Sequence, residues 1–203
     1  MKEGMTMSKL VISRSALNRL KGQAEKARQR HPGIRARNNA EFFMTLIVIL
    51  IFVMGFRMFI GEPTLIDGDS MYPTIIDTER AYVNKTAYWF ENPQRGDIII
   101  CYYPNYTTSC VKRVIAVGGD IIEIRDGKIY INDELLDESA YWNDYINFSY
   151  QRSVVPKGHV FVIGDNRNNS KDSRDPSVGA IPIYRVVGKV TFTLWPLNTI
   201  RLI

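Results

Sequence analysis

Hydrophobic and polar positions divide the chain into three parts. The first 40 residues are mainly polar, a continuous apolar run follows, and short runs of alternating polarity fill the rest. The apolar run extends from Phe42 to Ile60 and contains one charged residue, Arg57, near its far end. A helix needs roughly 20 apolar residues to cross a bilayer, so we predict a transmembrane helix at 41–61. The long side chain of Arg57 can reach the headgroups from there.

The alternative for this run is a cleaved signal peptide. Such a peptide has a shorter apolar core and an A-x-A-like cleavage site after it, and the sequence shows neither. The sequence therefore predicts a retained anchor between a tail at 1–40 and a domain at 62–203.

Charge is concentrated in the tail. Its 40 residues hold ten Lys or Arg and two acidic residues, which leaves 16 basic and 19 acidic residues in the rest of the chain. The net charge of +5 therefore does not indicate a nucleic-acid partner. Basic residues before an anchor predict a cytoplasmic tail and an extracellular domain, and they also attract anionic membrane lipid.

The tail has a weak helical pattern of apolar residues. Its members are Leu10, Val11, Ala16, Leu20 and Ala24. Pro32 and Gly33 predict the end of this helix.

The domain after the anchor is predicted to be mainly β. Its runs are short, rich in β-branched and aromatic residues, and bounded by turn residues; they lie at 80–84, 97–103, 110–117, 121–125, 128–132, 159–163 and 188–194. Asp126-Gly127 predicts a two-residue hairpin turn within a smaller inserted β region at about 121–155. A helical turn is expected only within 135–143.

The chain has two cysteines, Cys101 and Cys110, on either side of a polar loop. They could form a disulfide in an extracellular domain or remain separate thiols, and both interpretations stay open. Their spacing is not that of metal ligands, and His31 and His159 lie on opposite sides of the predicted membrane. We therefore predict no metal site and no cofactor.

The stretch D-G-D-S-M-Y-P-T at 67–74 follows the anchor closely. Its composition favours a surface turn, but a turn can also present a nucleophilic serine. His159 comes directly after Pro156-Lys157-Gly158 and is expected to be a surface residue rather than the base of a Ser-His-Asp triad. A serine nucleophile here would need another base, and lysine is the usual substitute.

Two lysines of the domain lie in apolar strands, Lys112 and Lys189. The other four, which adjoin turn or polar residues, are Lys85, Lys128, Lys157 and Lys171. Strand alternation places Lys112 on one face with Cys110, Val114 and Ala116. Burial on such a face disfavours the ammonium form, as a lysine base requires. Lys189 shares a face with Val187 and Thr191 and remains a weaker candidate.

A polar segment at 164–174 follows the strand at 159–163. It is either a solvated loop or, with its alternating carboxylates and guanidinium groups, a hydrogen-bonded network that orients a base.

Four segments of the chain resemble the ordered boxes of bacterial type I signal peptidases. They are S-M-Y-P-T at 70–74, R-G-D-I-I-I at 95–100, V-K-R-V-I at 111–115 with G-D at 119–120, and G-D-N-R-N-N-S-K-D-S-R at 164–174. The single anchor is similar to the Gram-positive form. The resemblance implies a signal-peptidase-like β ectodomain, and a membrane-bound endopeptidase that removes signal peptides from secretory preproteins by cutting after small residues.

The resemblance also implies a role for individual residues. Ser70 would be the nucleophile and its N–H the oxyanion donor, Lys112 the general base, and Ser170 the residue that orients the lysine. Residues expected to bind substrate or to pack at the site are Ile66, Met71, Ile75 and Val111. Residues expected to support the site as ion pairs are Arg113, Asp165, Asp172 and Arg174.

Three residues depart from the family pattern. Gly68 stands where some relatives carry a serine that completes the oxyanion hole, and Ala116 and Gly118 stand where Gly and Pro are common. Two other functions remain open: a self-cleaving Ser-Lys repressor-type protein, and a non-catalytic tethered β domain. The sequence carries no signal of the oligomeric state.

Overall fold

Two helices open the described part of the chain. The computed structural model describes residues 13–29, 32–104, 106–142 and 144–203, and the chain forms two compact units, Met1–Val53 and Met54–Ile203. Helix α1 covers Arg14–Gln29 and helix α2 covers Pro32–Phe59. Helix α1 ends at Gln29, just before Pro32-Gly33 as predicted, and Pro32 opens α2, where a proline's missing N–H costs no hydrogen bond. Leu10 and Val11 lie outside the described residues.

Helix α2 contains most of the segment predicted to cross the membrane, but it ends at Phe59, and Gly61 already belongs to β1. Within α2, Asn38–Phe59 has 22 residues and is long and apolar enough to cross a membrane. None of this segment is buried within the protein. It is the one such helix in the described residues.

The rest of the described chain is mainly β, as predicted. Its strands are β1 (Gly61–Leu65), β2 (Arg80–Asn84), β3 (Ile98–Tyr102), β4 (Ser109–Val117), β5 (Ile121–Arg125), β6 (Lys128–Ile131), β7 (Glu134–Leu135), β8 (Tyr150–Val154), β9 (His159–Ile163), β10 (Ile181–Pro182), β11 (Val186–Trp195) and β12 (Arg201–Leu202). Two short 3₁₀ helices lie at Ile183–Arg185 and Leu197–Thr199. Each of the seven predicted runs forms a strand. Strands β1 and β8, and also the two-residue strands β7, β10 and β12, were not predicted from the sequence.

The strands form two antiparallel sheets. The first has the order β1-β2-β11-β3-β4-β9-β10, with β12 paired to β11, and the second has the order β7-β6-β5-β8. The turn between β5 and β6 is Asp126-Gly127, with φ angles of 51° and 71°, which confirms the predicted hairpin. Tyr141 and Trp142 N–H both donate to Glu138 O, so the expected helical turn is one hydrogen-bonded turn.

Alternate residues of the central strands enter different core clusters. Ile98 and Ile100 of β3 pack in a cluster with Ile66, whereas Ile99 and Cys101 pack on the opposite face. The second sheet covers a further cluster on β4 and β9, which contains Phe161. The strands of both sheets are therefore held by side chains that alternate between neighbouring apolar layers.

The predicted face of Ala116 is wrong, because β4 contains a bulge. The β4–β9 register shifts between Val114 and Ala116. Val114 packs in the same cluster as Cys110, but Ala116 joins the cluster under the second sheet. An extra residue in a strand breaks the two-residue alternation, so Ala116 does not share the face of Lys112.

Candidate active site

Ser70 and Lys112 meet in the structure although 42 residues separate them. Lys112 lies in the middle of β4, and Ser70 lies in the turn that follows β1. Lys112 Nζ donates to Ser70 Oγ (2.7 Å) and to Val111 O (2.8 Å). Only 4% of the lysine is exposed, whereas Ser70 is half-buried. This contact places an amine directly beside a reachable hydroxyl.

Burial sets the protonation preference of Lys112. Desolvation lowers its pKa, and the neighbouring Cys110 and Asp172 oppose this effect to a smaller extent. Burial has this effect because an ammonium group loses hydration that a neutral amine hardly needs. A neutral amine at this position can accept the proton of the Ser70 hydroxyl.

The turn that carries Ser70 is held at several points. Gly68 has φ +95°, a conformation that favours glycine, and its N–H donates to Asp77 Oδ1 (2.7 Å). Asn166 binds the same turn from the 164–174 segment, because its backbone N–H donates to Ser70 O and its side chain donates to Asp69 O, both at 3.0 Å. These bonds fix the backbone on either side of the serine.

Gly164 allows the two serines of the site to approach each other. A Cβ on Gly164 would overlap both Ser70 O and Ser170 Oγ. Ser170 Oγ is buried and has no hydrogen-bond partner in the structure. The implied Ser170–Lys112 hydrogen bond is thus not formed here, although both side chains lie close to the Ser70 turn.

The two implied ion pairs are present. Arg113 binds Asp165 through two parallel hydrogen bonds of 2.8 and 2.7 Å, and it also donates to Gly96 O. Arg174 binds Asp172 in the same bidentate way, at 2.7 and 2.8 Å. Asp172 also accepts from Gly164 N (3.1 Å). The 164–174 segment is therefore a hydrogen-bonded network rather than a solvated loop.

A cleft of about 450 Å³ opens beside Ser70 and Lys112. Ile66 and Val111 line it, as do residues at the end of β1 and the start of β4. Met71 and Ile75, which were expected at the site, are buried in the core cluster that contains Ile66, with 1% and 0% exposure. They support the cleft wall from behind rather than line it.

The other candidate bases lie elsewhere. Lys189 Nζ is paired with Asp97 Oδ1 at 2.5 Å. His159 Nδ1 lies 3.0 Å from Lys157 O, and among the described contacts none joins His159 to Ser70. Within the described part of the chain, no group of three or more His, Cys, Asp or Glu side chains is placed to hold a metal ion.

A group of residues that packs behind Arg113 was not predicted from the sequence. Tyr141 lies with its ring 4.0 Å from the Arg113 guanidinium and 5.5 Å from that of Arg167. Arg167 is fully buried and pairs with Glu138 at 2.6 Å. Glu138 and Tyr141 precede β8, whereas Arg167 belongs to the 164–174 segment. No local pattern signals a contact between segments so far apart in sequence.

Gly118 stands where the family commonly has proline, and the structure gives a steric reason for a glycine there. A Cβ on Gly118 would lie 3.0 Å from Pro156 O and from Lys157 Cα, closer than nearly all real contacts. The turn at 117–120 is nevertheless closed, because Asp120 N–H donates to Val117 O and Arg95 pairs with the Asp120 carboxylate. The departure at Gly118 therefore leaves β4 and its lysine in place.

Comparison with known proteins decides the family. The model of the signal peptidase family, peptidase S26, matches residues 39–195. The chain belongs to this family. The match includes Ser70, Lys112 and the whole 164–174 segment, and family members remove signal peptides from preproteins. The chain is accordingly a membrane-bound serine peptidase, which is a hydrolase.

Two individual relatives agree with this assignment. The chain is similar to signal peptidase I T of Bacillus subtilis (strain 168), with 34% identity over 170 residues, 79% of this chain and 88% of the relative. It is also similar to thylakoidal processing peptidase 1 of Arabidopsis thaliana, with 38% identity over 152 residues, 70% of this chain but only 44% of that relative. A crystal structure of a signal peptidase I from Enterococcus faecalis V583 matches with 36% identity and a TM-score of 0.42, over 50% of this chain and 98% of that one.

Proposed function

We propose that Ser70 and Lys112 form the catalytic dyad with which this signal peptidase cleaves secretory preproteins. The observation that carries the proposal is the 2.7 Å contact between Ser70 Oγ and the buried Lys112 amine. The family match at 39–195, together with an apolar helix long enough to cross a membrane, favours a signal peptidase over the repressor-type alternative. The non-catalytic alternative does not account for the deeply buried lysine beside a hydroxyl.

The reaction begins with proton transfer. Neutral Lys112 accepts the Ser70 proton while Ser70 Oγ attacks the scissile carbonyl carbon. The resulting ammonium then protonates the leaving amine, and an acyl-enzyme remains on Ser70. Lys112, neutral again, accepts a proton from the water that attacks this ester, and it returns that proton to Ser70 Oγ as the acyl product leaves.

The attack of Ser70 places a negative charge on the carbonyl oxygen. This oxyanion needs hydrogen-bond donors from the turn that carries Ser70. The Ser70 N–H is our proposed donor, and one such contact contributes a few kcal/mol to the transition state. The neighbouring Gly68 N–H is already bonded to Asp77 and does not supply a second donor in this conformation. Ser170 is our proposed residue for orienting Lys112, since its buried hydroxyl has no competing hydrogen bond to break.

The preprotein would bind as an extended strand in the cleft beside Ile66 and Val111. In a strand the residue before the cut and the residue two positions upstream point to the same side. Both would enter shallow depressions in the cleft wall, which predicts a requirement for small side chains at these positions. A preprotein with Phe at the position before the cut should not be cleaved, and equal rates for Ala and Phe would refute the model.

We also propose the orientation implied by the charges. The tail at 1–40 is cytoplasmic and touches anionic lipid, the helix at 41–61 spans the membrane once, and the domain at 62–203 is extracellular. Ten residues join Ile60 to Ser70, so the nucleophile lies within about 33 Å of the end of the anchor. A preprotein held by its own signal peptide presents its cleavage site near this height.

The decisive experiment compares two serine variants in detergent. Ser70→Ala should abolish cleavage of a preprotein while the protein stays folded, because the change removes one half-buried oxygen atom. Ser149→Ala, at an exposed position, is the matched control and should cleave normally. Products are identified by mass, and normal cleavage by Ser70→Ala would exclude the proposed nucleophile.

A further inference from the structure

The two cysteines lie directly opposite each other in the sheet. Cys101 of β3 is the register partner of Cys110 of β4, and both are free thiols in the structure. Residues opposite each other in an antiparallel pair share a face and have Cα atoms about 4.5–5.5 Å apart. A disulfide spans Cα distances of about 4.4–6.8 Å. The backbone therefore already has the separation that a disulfide needs.

The two thiols differ in access. Cys110 is partly exposed and lines the cleft together with Ser70 and Lys112. Cys101 is fully buried, and burial raises its pKa to about 12. A reagent from solution thus meets Cys110 first, and Cys101 can only react with a group already attached to Cys110.

We propose that Cys110 is a thiol-modification site in the substrate cleft, and that Cys101 resolves the modified thiol to a disulfide that inactivates the peptidase. The inactivation rests on the function proposed above. The oxidant is a low-molecular-weight disulfide, and the oxidising environment outside cells allows the resulting protein disulfide to persist.

The chemistry is two thiol–disulfide exchanges. The Cys110 thiolate, having lost its proton, attacks one sulfur of the reagent; a mixed disulfide forms, the reagent's S–S bond breaks, and one thiol leaves with a proton. Cys101 then loses its proton and attacks the Cys110 sulfur, and the second thiol leaves. The two protein thiols are oxidised by two electrons, and the reagent is reduced to two thiols.

Both products should impair the site. A mixed disulfide on Cys110 fills part of the cleft in which the substrate strand binds. The internal disulfide brings the two sulfur atoms into covalent contact, so β4 must adjust locally at Cys110, two residues before Lys112 and on the same face. Because Lys112 Nζ must stay within hydrogen-bond distance of Ser70 Oγ, a shift of β4 lowers the cleavage rate.

Oxidised glutathione is a suitable probe for the full-length protein in detergent. The reduced protein is incubated with it, and intact mass and preprotein cleavage are followed together. We expect loss of most of the cleavage rate, a final mass lower by two hydrogen atoms, and recovery of both on addition of dithiothreitol. The chain has two cysteines, so each mass change can be assigned.

Two variants separate the steps, each compared with its own reduced form. Cys110→Ser should neither gain mass nor lose activity with glutathione disulfide. Cys101→Ala should stop at the mixed disulfide, with the mass of one glutathione added. Full disulfide formation without loss of activity, or equal inactivation of Cys110→Ser, would overturn the proposal.

The mass readout also separates this inference from the proposed function. Absence of the internal disulfide in a protein that cleaves preproteins contradicts the inference alone. Absence of cleavage by the reduced protein contradicts the proposed function, whatever its mass does on oxidation.

Discussion

At the scale of the residue, Lys112 shows a conflict between stability and chemistry. An amine that is nearly fully buried costs free energy in its charged form, and each unit by which its pKa is lowered corresponds to about 1.4 kcal/mol. The same burial supplies the neutral form that can accept a proton from Ser70. The protein is therefore expected to be more stable without its base.

Lys112→Met tests this conflict. The variant should be inactive, and its free energy of unfolding at pH 7 should be higher than that of the unchanged protein, because burial of a group whose charged form is disfavoured is removed. The folded-state pKa lies below the unfolded value, so the cost is complete below the folded-state pKa and disappears as the pH rises toward about 10.4. The gain in stability should shrink over that range. Denaturant unfolding at several pH values measures it, with the exposed Lys128→Met as control; a less stable Lys112→Met at pH 7 would contradict the argument.

The pH dependence of cleavage is a second prediction for Lys112. Activity should rise with pH through a pKa below that of a free lysine, because only the neutral amine accepts a proton. Lys112→Arg should be nearly inactive at every pH, since a guanidinium group stays protonated. A pH–rate profile on one preprotein checks both statements. An activity limb that disappears in His159→Ala would assign the base to the histidine instead.

The lack of room for a side chain at Gly164 gives a further prediction. Gly164→Ala should lower kcat strongly, because the added methyl overlaps Ser70 O and Ser170 Oγ and must displace one of them. Its φ angle is not among the positive ones, so the effect cannot come from backbone strain. Gly22→Ala, with no atom within 4 Å of the added Cβ, is the control. Equal kcat values for the two variants would mean that the site adapts to the methyl group.

At the scale of the element, the second sheet is coupled to the catalytic segment. Glu138 and Tyr141 come from the region between β7 and β8, and Arg167 comes from the segment between β9 and β10. Their ion pair and ring contacts reach Arg113, whose partner Asp165 adjoins Gly164. The inserted sheet thus supports the backbone next to the nucleophile.

Glu138→Gln should be strongly destabilising. It leaves the fully buried guanidinium of Arg167 without a counter-charge, and breaking a buried pair costs about 3–5 kcal/mol. Asp133→Asn is the matched control in the same sheet, because it removes an exposed ion pair with Arg152 and should change stability little. Thermal unfolding of both variants compares the two costs. A similar midpoint for both would show that the buried pair does not hold the sheets together.

At the scale of the whole molecule, the orientation of the chain in the membrane depends on the basic residues of the tail, which lie outside the β domain. The basic tail predicts that a protease added to intact cells digests the domain after Ile60 and leaves residues 1–40 protected. Immunoblotting with antibodies against each part measures this. Digestion of the tail with protection of the domain would reverse the assignment.

The sequence by itself determined the features that depend on neighbouring residues. The apolar run from Phe42, the strand runs and the Asp126-Gly127 hairpin are local patterns, because burial and turn geometry act over a few residues. The motif around Ser70 and the segment at 164–174 also indicated the family before any distance was known.

Only the tertiary structure decided how these local elements meet. It brings Ser70 to Lys112 and pairs Lys189 with Asp97, which separates two lysines with similar local patterns. It moves Ala116 to another face through a bulge, and it places Cys101 opposite Cys110. These results depend on strand register and on contacts between distant segments. The register between strands that are distant in sequence depends on how their apolar faces pack, so no short stretch of sequence carries it.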